Sequence, residues 1–496
     1  MIIIPGDKRG DMDAALDRLI PAAMQDLNVP GLSLAVIQDR RITLARGYGC
    51  LKEGEKRPVD EHSLFGIASI TKTFTATALA MLVDEGRLDW DRRVADLMPG
   101  FELFDPFASR EITVRDLLRH NSGLREVAGG TLWYGSGYSR AEVIRRLRFL
   151  KPVSSFRSRY AYQNVMFLVA GELIPALTGI SWDDFLRRRI FDPLGMVRTT
   201  STVTELALRD NVALPHAPLR GIQQPVPVRS HDNVGPAASI NTSAAELARY
   251  AVFYLNQGVF EGRRLVRAET LAQLTEPQTI IPVDEDMPFS SALFNAYGLG
   301  WHIRYQYGRK IIFHAGGVDG YRTLLTLVPA DGLGIIALSN SESPIAHLVT
   351  LRLLVHLLQG QPLSWPAEYK RMSAEMQENE ARAYRRRFEG RVTGTRPSHP
   401  LAEYAGCYED PAYGEITVSL EDGGLVLRFS QTPAFTADLS HWHYDTFRLT
   451  WRDPYIPDGL LAFQFDTRGR VIGMTFDQPN LLDVDFRELD VRRAED

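Results

Sequence analysis

Ser69 and Lys72 stand three residues apart in Ala68-Ser69-Ile70-Thr71-Lys72, and that pairing can make a nucleophile. Apolar residues recur behind them at Phe74, Ala78, Leu82 and Val83, and Gly86 offers a stop. This reads as a long amphipathic helix. Positions i and i+3 share a helix face, so the lysine amine can approach the serine hydroxyl. A serine beside a base is an activated nucleophile. The helix N-terminus adds partial positive charge where an oxyanion would form. Alone, the spacing also suits a hydroxyl cap followed by a solvated lysine. Two later segments supply what the pair lacks. Tyr162-Gln163-Asn164 opens a helix running from Val165 to Thr178, and Tyr162 and Asn164 can point into one cleft. His314-Ala315-Gly316 ends a strand, Ile311-Ile312-Phe313, and Gly316 and Gly317 leave room for a substrate backbone.

These residues need a frame. Asp11 to Leu27 reads as an amphipathic helix and Gly31 to Gly49 as a hairpin turning at Asp39-Arg40. Helical patterns dominate from Ser69 to about Leu194. Strands follow at Ile311–Phe313, Thr323–Val328 and Gly334–Leu338, and a helix from Ile345 to Leu358 packs back on them. Strands from both ends therefore enclose a helical middle. That predicts an α+β fold with a mainly antiparallel sheet. Pro362 to Pro400 is dense in charge and then in Gly and Pro, which predicts a linker helix and an extended connector. Beyond it, short strands are expected at Glu415–Leu420, Leu425–Phe429, His441–Trp451, Leu460–Phe465, Val471–Phe476 and Val484–Leu489. Their spacing predicts a small antiparallel barrel. The expected domains are 1–360, a linker at 361–397, and a barrel at 398–496.

The 496 residues are 45% hydrophobic and 24% charged, with a net charge of −5 and no basic tract. That balance is globular and argues against a nucleic-acid partner. Cys50 and Cys407 are far apart and read as two buried or semi-buried thiols, with neither a disulfide framework nor a cysteine metal site. The apolar run in Met1-Ile2-Ile3-Ile4-Pro5 is short and is followed by Asp7, Lys8 and Arg9. It does not read as a signal peptide, and no segment has transmembrane length. A cytoplasmic location and no membrane partner are expected.

Ser-x-x-Lys, Tyr-x-Asn and His-x-Gly in this order resemble the serine β-lactamase and penicillin-binding-protein superfamily. The likeness is to the class C β-lactamase-like branch of esterases, D-aminopeptidases and penicillin-binding-protein-type thioesterases. Phe65-Gly66-Ile67-Ala68, Thr113 to Leu124, Phe191 to Met196 and Tyr297 to Trp301 are similar to further family segments. Together they cover residues 10 to 360. The tail resembles the lipocalin-like domain appended to several members. The resemblance implies a β-lactamase-like domain, an acyl-enzyme at Ser69, and no cofactor or metal. It implies that Lys72 and Tyr162 share the general-base role, that Asn164 bonds Lys72, and that the N–H groups of Ser69 and Gly317 form the oxyanion hole. His314 stands where β-lactamases have lysine. A neutral histidine attracts a substrate carboxylate less, and a hydrogen bond from it to Tyr162 is expected.

The expected activity is hydrolysis of esters or amides, including D-amino-acid peptides. The alternative is a thioesterase or acyltransferase that passes a peptidyl group, from a carrier-bound thioester for example, to an amine and so cyclises it. A binding protein without turnover is a third reading, opposed by intact Ser69, Lys72 and Tyr162. His120, His231 and His302 lack metal spacing and read as structural. Asp232-Asn233 reads as a turn. Arg448 and Arg452 could clamp a substrate carboxylate if the barrel caps the cleft.

Overall fold

Gly31 through Ile37 are all buried, so this strand is covered on both faces. The computed structural model describes residues 8–219, 221–283 and 292–494. The Met1–Pro5 run and Asp7 lie outside the described residues. Strand Gly31–Gln38 belongs to an eight-stranded sheet ordered Arg41–Gly49, Gly31–Gln38, Leu333–Ser339, Tyr321–Val328, Arg309–Val318, His302–Gln306, Phe294–Tyr297 and Thr279–Ile281. Every neighbouring pair is antiparallel. Side chains alternate across the sheet. Leu34 and Val36 join helices Lys8–Asp26 and Ile345–Gln359, whereas Ala35 and Ile37 join the helical middle. The chain thus adopts the α+β architecture expected of it.

Helix Thr71–Asp84 differs from expectation. Thr71 through Leu82 are buried on every side, so the helix is central rather than amphipathic. Its threonines make this possible by bonding inside the core. Thr75 Oγ1 donates to the Pro236 carbonyl at 2.7 Å, and Thr77 Oγ1 lies 2.7 Å from the Tyr254 hydroxyl. Gly86, at φ +68°, follows the helix end.

A charged helix, Ala367–Arg387, leads to a closed eight-stranded barrel spanning Gly406–Arg493. Tyr408 of the first strand pairs with Arg493 of the last. The interior is filled by Tyr404, Phe429, Phe435, Phe447, Trp451, Phe463 and Phe486. Cys407 lies on the barrel and is exposed, not semi-buried; Cys50 is half-buried, and both are free. The His441–Trp451 segment holds a turn between two strands, Thr432–His443 and Thr446–Trp451. Val484–Leu489 is not a strand. Asp485 accepts the Arg487 backbone N–H and starts a 3-10 turn, Phe486–Glu488, before the closing strand Val491–Arg493.

The barrel is docked on the first 360 residues through polar contacts. Arg146 donates to the Ala412 carbonyl at 2.8 Å, and the Gly137 N–H donates to the Gln431 carbonyl at 2.8 Å. Arg229 binds Asp319 at 2.6 Å and also pairs with Asp453 of the barrel. Tyr134 stacks on Phe435 at 5.8 Å.

Candidate active site

Ser69 occupies a 3-10 turn, Ala68–Ile70, just ahead of helix Thr71–Asp84. Ala68 takes φ +46°, a left-handed conformation that costs a residue with a Cβ on the order of 1 kcal/mol. The surroundings hold it there, with the Ile67 N–H on the Ile240 carbonyl at 2.9 Å and the Ile70 N–H on the Ile67 carbonyl at 3.1 Å. Ser69 keeps 9% of its surface exposed whereas Lys72 keeps none, so substrate can reach the hydroxyl but not the amine.

Lys72 Nζ lies 3.0 Å from Ser69 Oγ, 2.6 Å from Asn164 Oδ1 and 3.1 Å from the Ala237 carbonyl. Two of these neighbours can only accept hydrogen bonds. A neutral amine has two N–H bonds to give them, which leaves its lone pair facing the serine. Burial brings the Lys72 amine down to about 7, with the carboxylate of Asp483 opposing the shift. The Tyr162 ring lies beneath the amine, 4.7 Å from Nζ. Burial pushes its phenol well above the ordinary range, with Ser69 opposing the shift, so it holds its proton.

Asn164 is the first residue of helix Asn164–Thr178. The chain before it is pinned by the Tyr162 carbonyl, which accepts from Val127, and by Gln163, whose N–H donates to His120 Nδ1 at 3.0 Å. His120, at φ +58°, packs its buried ring 4.3 Å from Tyr162 and 4.3 Å from Tyr297. It packs the tyrosine into place. Among the described residues no group of three or more His, Cys, Asp or Glu could hold a metal ion.

His314 sits on strand Arg309–Val318. Pairing with the neighbouring strand ends at His302 opposite Phe313, so among the described residues the edge from 314 to 318 on that side has no strand partner. That open edge lies beside Ser69. A Cβ at Gly316 would collide with the Ile67 carbonyl, which explains the glycine. The expected hydrogen bond from His314 to Tyr162 is replaced. Those rings are 6.4 Å apart, and Tyr297 takes the position, with its hydroxyl 2.8 Å from His314 Nε2. The Ala315 carbonyl, 2.7 Å from Nδ1, can only accept, so Nδ1 carries the proton and Nε2 accepts from Tyr297. Burial and the nearby His302 hold His314 well below its usual range, so it is neutral.

Arg448 and Arg452 do not bond to this group. Arg448 pairs with Asp458 at 2.7 Å and lies over Phe388, and Arg452 pairs with Asp438 at 2.8 Å. Both charges are already satisfied on the barrel. Asp232 and Asn233 tie loops together, through the Val203 N–H at 3.1 Å and the Trp133 carbonyl at 3.1 Å.

The barrel instead contributes Leu482 and Asp483. A bridge between Leu481 and Val484 makes them the tip of a tight turn. A Cβ at Gly317 would lie 2.9 Å from the Leu482 side chain, one at Gly130 would collide with the Asp483 carbonyl, and the Asp483 charge acts on the Lys72 amine. Sequence reasoning missed Asp483 and Tyr297. Tyr297 fell inside a noted segment without a role, and Asp483 carried no local signal.

Residues 16–359 match the family model described as Beta-lactamase, and residues 390–493 match one described as a domain of unknown function, DUF3471. The chain is 28% identical over 471 residues to an unguisins hydrolase of Aspergillus violaceofuscus, covering 87% of this chain and 81% of the relative. The octameric penicillin-binding protein homologue from Pyrococcus abyssi superposes with a TM-score of 0.63 at 21% identity, over 95% of this chain and 98% of that one. A D-stereospecific amidohydrolase from Streptomyces sp. gives 0.56 at 23% identity, over 70% and 99%. At these identities the two solved structures speak for the fold.

Proposed function

The chain belongs to the beta-lactamase family, and we propose that it is a serine hydrolase that forms an acyl-enzyme at Ser69 from ester or amide substrates, among them peptides with D-amino acids. The observation that carries this is the buried Lys72 amine, 3.0 Å from Ser69 Oγ with its other two directions committed to carbonyl acceptors. Ser69 Oγ attacks the substrate carbonyl while its proton passes to the Lys72 lone pair. The N–H groups of Ser69 and Gly317 receive the developing oxyanion, a contribution of about a hundredfold or more. Collapse expels the alcohol or amine, which takes a proton from the Tyr162 hydroxyl as Tyr162 takes up the one held by Lys72. Water then attacks the ester at Ser69 and leaves the free acid.

The substrate backbone lies along the open strand edge from 314 to 318. Neutral His314 offers no ion pair to a carboxylate there, which argues against β-lactams as preferred substrates. Similarity to an unguisins hydrolase over most of the chain supports water, rather than an amine, as the acyl acceptor.

A panel of esters, D- and L-amino-acid amides, β-lactams and peptidyl thioesters tests the reading. Free acid from an ester or amide, through a covalent Ser69 intermediate, is expected. Cyclised or amine-capped products from thioesters, with no free acid from any substrate, would replace the hydrolase by an acyltransferase.

A further inference from the structure

We propose that the barrel sets the stereochemistry of the substrate: Leu482 is a specificity-determining residue that stands on the face an L side chain would take beside the attacked carbonyl, and so favours D-residues there. The proposal rests on acylation of Ser69 with the substrate backbone along the open edge of strand Arg309–Val318.

The strand fixes where the substrate points. Val318 pairs with Tyr321 across the two-residue turn Asp319-Gly320. Backbone groups alternate in direction along an antiparallel strand, so the N–H and carbonyl of Gly317 face the open edge. The substrate residue whose carbonyl enters the oxyanion hole then lies opposite Gly317. Opposed residues put their side chains on one face, with Cα atoms about 5.5 Å apart. An L-residue there would send its side chain to the face of the missing Gly317 Cβ. A D-residue exchanges side chain and hydrogen at that carbon, which takes the side chain off this face.

That face is already occupied. A Cβ at Gly317 would lie 2.9 Å from Leu482 Cδ2 and 3.5 Å from Arg322 Nη1. Arg322 is turned back on its own hairpin, donating to the Val318 carbonyl at 3.0 Å and the Tyr321 carbonyl at 2.8 Å. Leu482 is 51% exposed, so its side chain is offered outward rather than used in a core.

The turn that carries Leu482 spans the cleft. On the other wall, a Cβ at Gly130 would collide with the Asp483 carbonyl. The Gly130 N–H donates to the Val127 carbonyl at 3.1 Å, and the Val127 N–H to the Tyr162 carbonyl at 2.8 Å, so this is the wall that carries Tyr162. Two adjacent barrel residues thus touch both sides. The tip is held in place. Val484 and Phe486 are buried, the latter with its ring 5.1 Å from Phe435, and Glu488 accepts the Gly129 N–H at 3.0 Å. A tip fixed in this way discriminates between shapes instead of yielding to them.

The test is hydrolysis of the p-nitrophenyl esters of N-acetyl-D-phenylalanine and N-acetyl-L-phenylalanine by the full chain, as wild type, Leu482→Val and Leu482→Ala. Because Leu482 is half exposed, trimming it leaves the core intact. The D ester should be the faster substrate of the wild type. Leu482→Ala should lower the D-to-L ratio of kcat/KM by about tenfold or more, through a faster L ester, and Leu482→Val should fall between. A wild type that labels with a fluorophosphonate at Ser69 but takes the L ester as fast as the D ester, or turns over neither, would overturn the proposal. So would a ratio that both variants leave unchanged. Failure of the wild type to label at Ser69 would reject the serine hydrolase reading instead.

Discussion

Tyr297 donates its hydroxyl proton to His314 Nε2 across 2.8 Å, and this one bond fixes the chemistry of the third motif. A histidine that must accept from Tyr297 and donate to the Ala315 carbonyl has no proton to spare and no charge to offer. In the proposed mechanism the base is Lys72, whose burial brings the neutral amine within reach of neutral pH.

The rate of acylation should rise with pH through about 7, as the Lys72 ammonium gives up its proton and becomes a base. The sign follows from burial: a buried cation is disfavoured, so the amine titrates below its ordinary range. Lys72→Ala should remove this limb and reduce the rate by roughly a hundredfold to ten-thousandfold, the range of general-base catalysis. Single-turnover rates measured across the neutral range, from mildly acidic to mildly alkaline buffer, check both points.

Arg229 ties the barrel to the rest of the chain from a buried position, between Asp319 and Asp453 and over the rings of Tyr134 and Tyr455. All three charged side chains are at most 16% exposed. Arg229→Ala should strand two carboxylates and cost about 3–5 kcal/mol. Urea unfolding measures the loss, and limited proteolysis should show earlier cleavage near residues 388–400.

Glu488 gives stability a pH dependence of its own. Burial raises its carboxyl to about 7, and one of its oxygens, Oε1, is buried without a hydrogen-bond partner among the described residues. The folded state thus holds a proton that the unfolded chain releases at its ordinary carboxylate value. Its stabilising contribution is complete below that value and is lost as pH rises through about 7. Glu488→Gln should flatten the fall in Tm between about pH 5 and pH 7 and raise Tm at about pH 8. A Tm profile that the substitution leaves unaltered would refute this.

The sequence exposes what is local and hides what is distant. Ser69 and Lys72 are one helical turn apart, and Tyr162 and Asn164 flank a helix start, so spacing alone brings each pair together. Gly316 is legible because a strand must pass close to backbone there. Tyr297 replaces Tyr162 as the partner of His314 because two strands place them in reach, which neither segment announces. Barrel strands show through alternation, yet Val484 and Phe486 mimic that alternation while serving as anchors for a turn. Asp483 is 353 positions from Gly130 in the chain, and only the docking of the barrel brings its carbonyl there.

The central claim is an acyl-enzyme at Ser69, and peptide mapping by mass spectrometry after quenching with a slow ester substrate tests it most directly. The predicted result is an acyl adduct on the peptide holding Ser69 that appears and decays with turnover, and neither adduct nor turnover in Ser69→Ala. Undiminished turnover in Ser69→Ala, or an adduct confined to another residue, would contradict it.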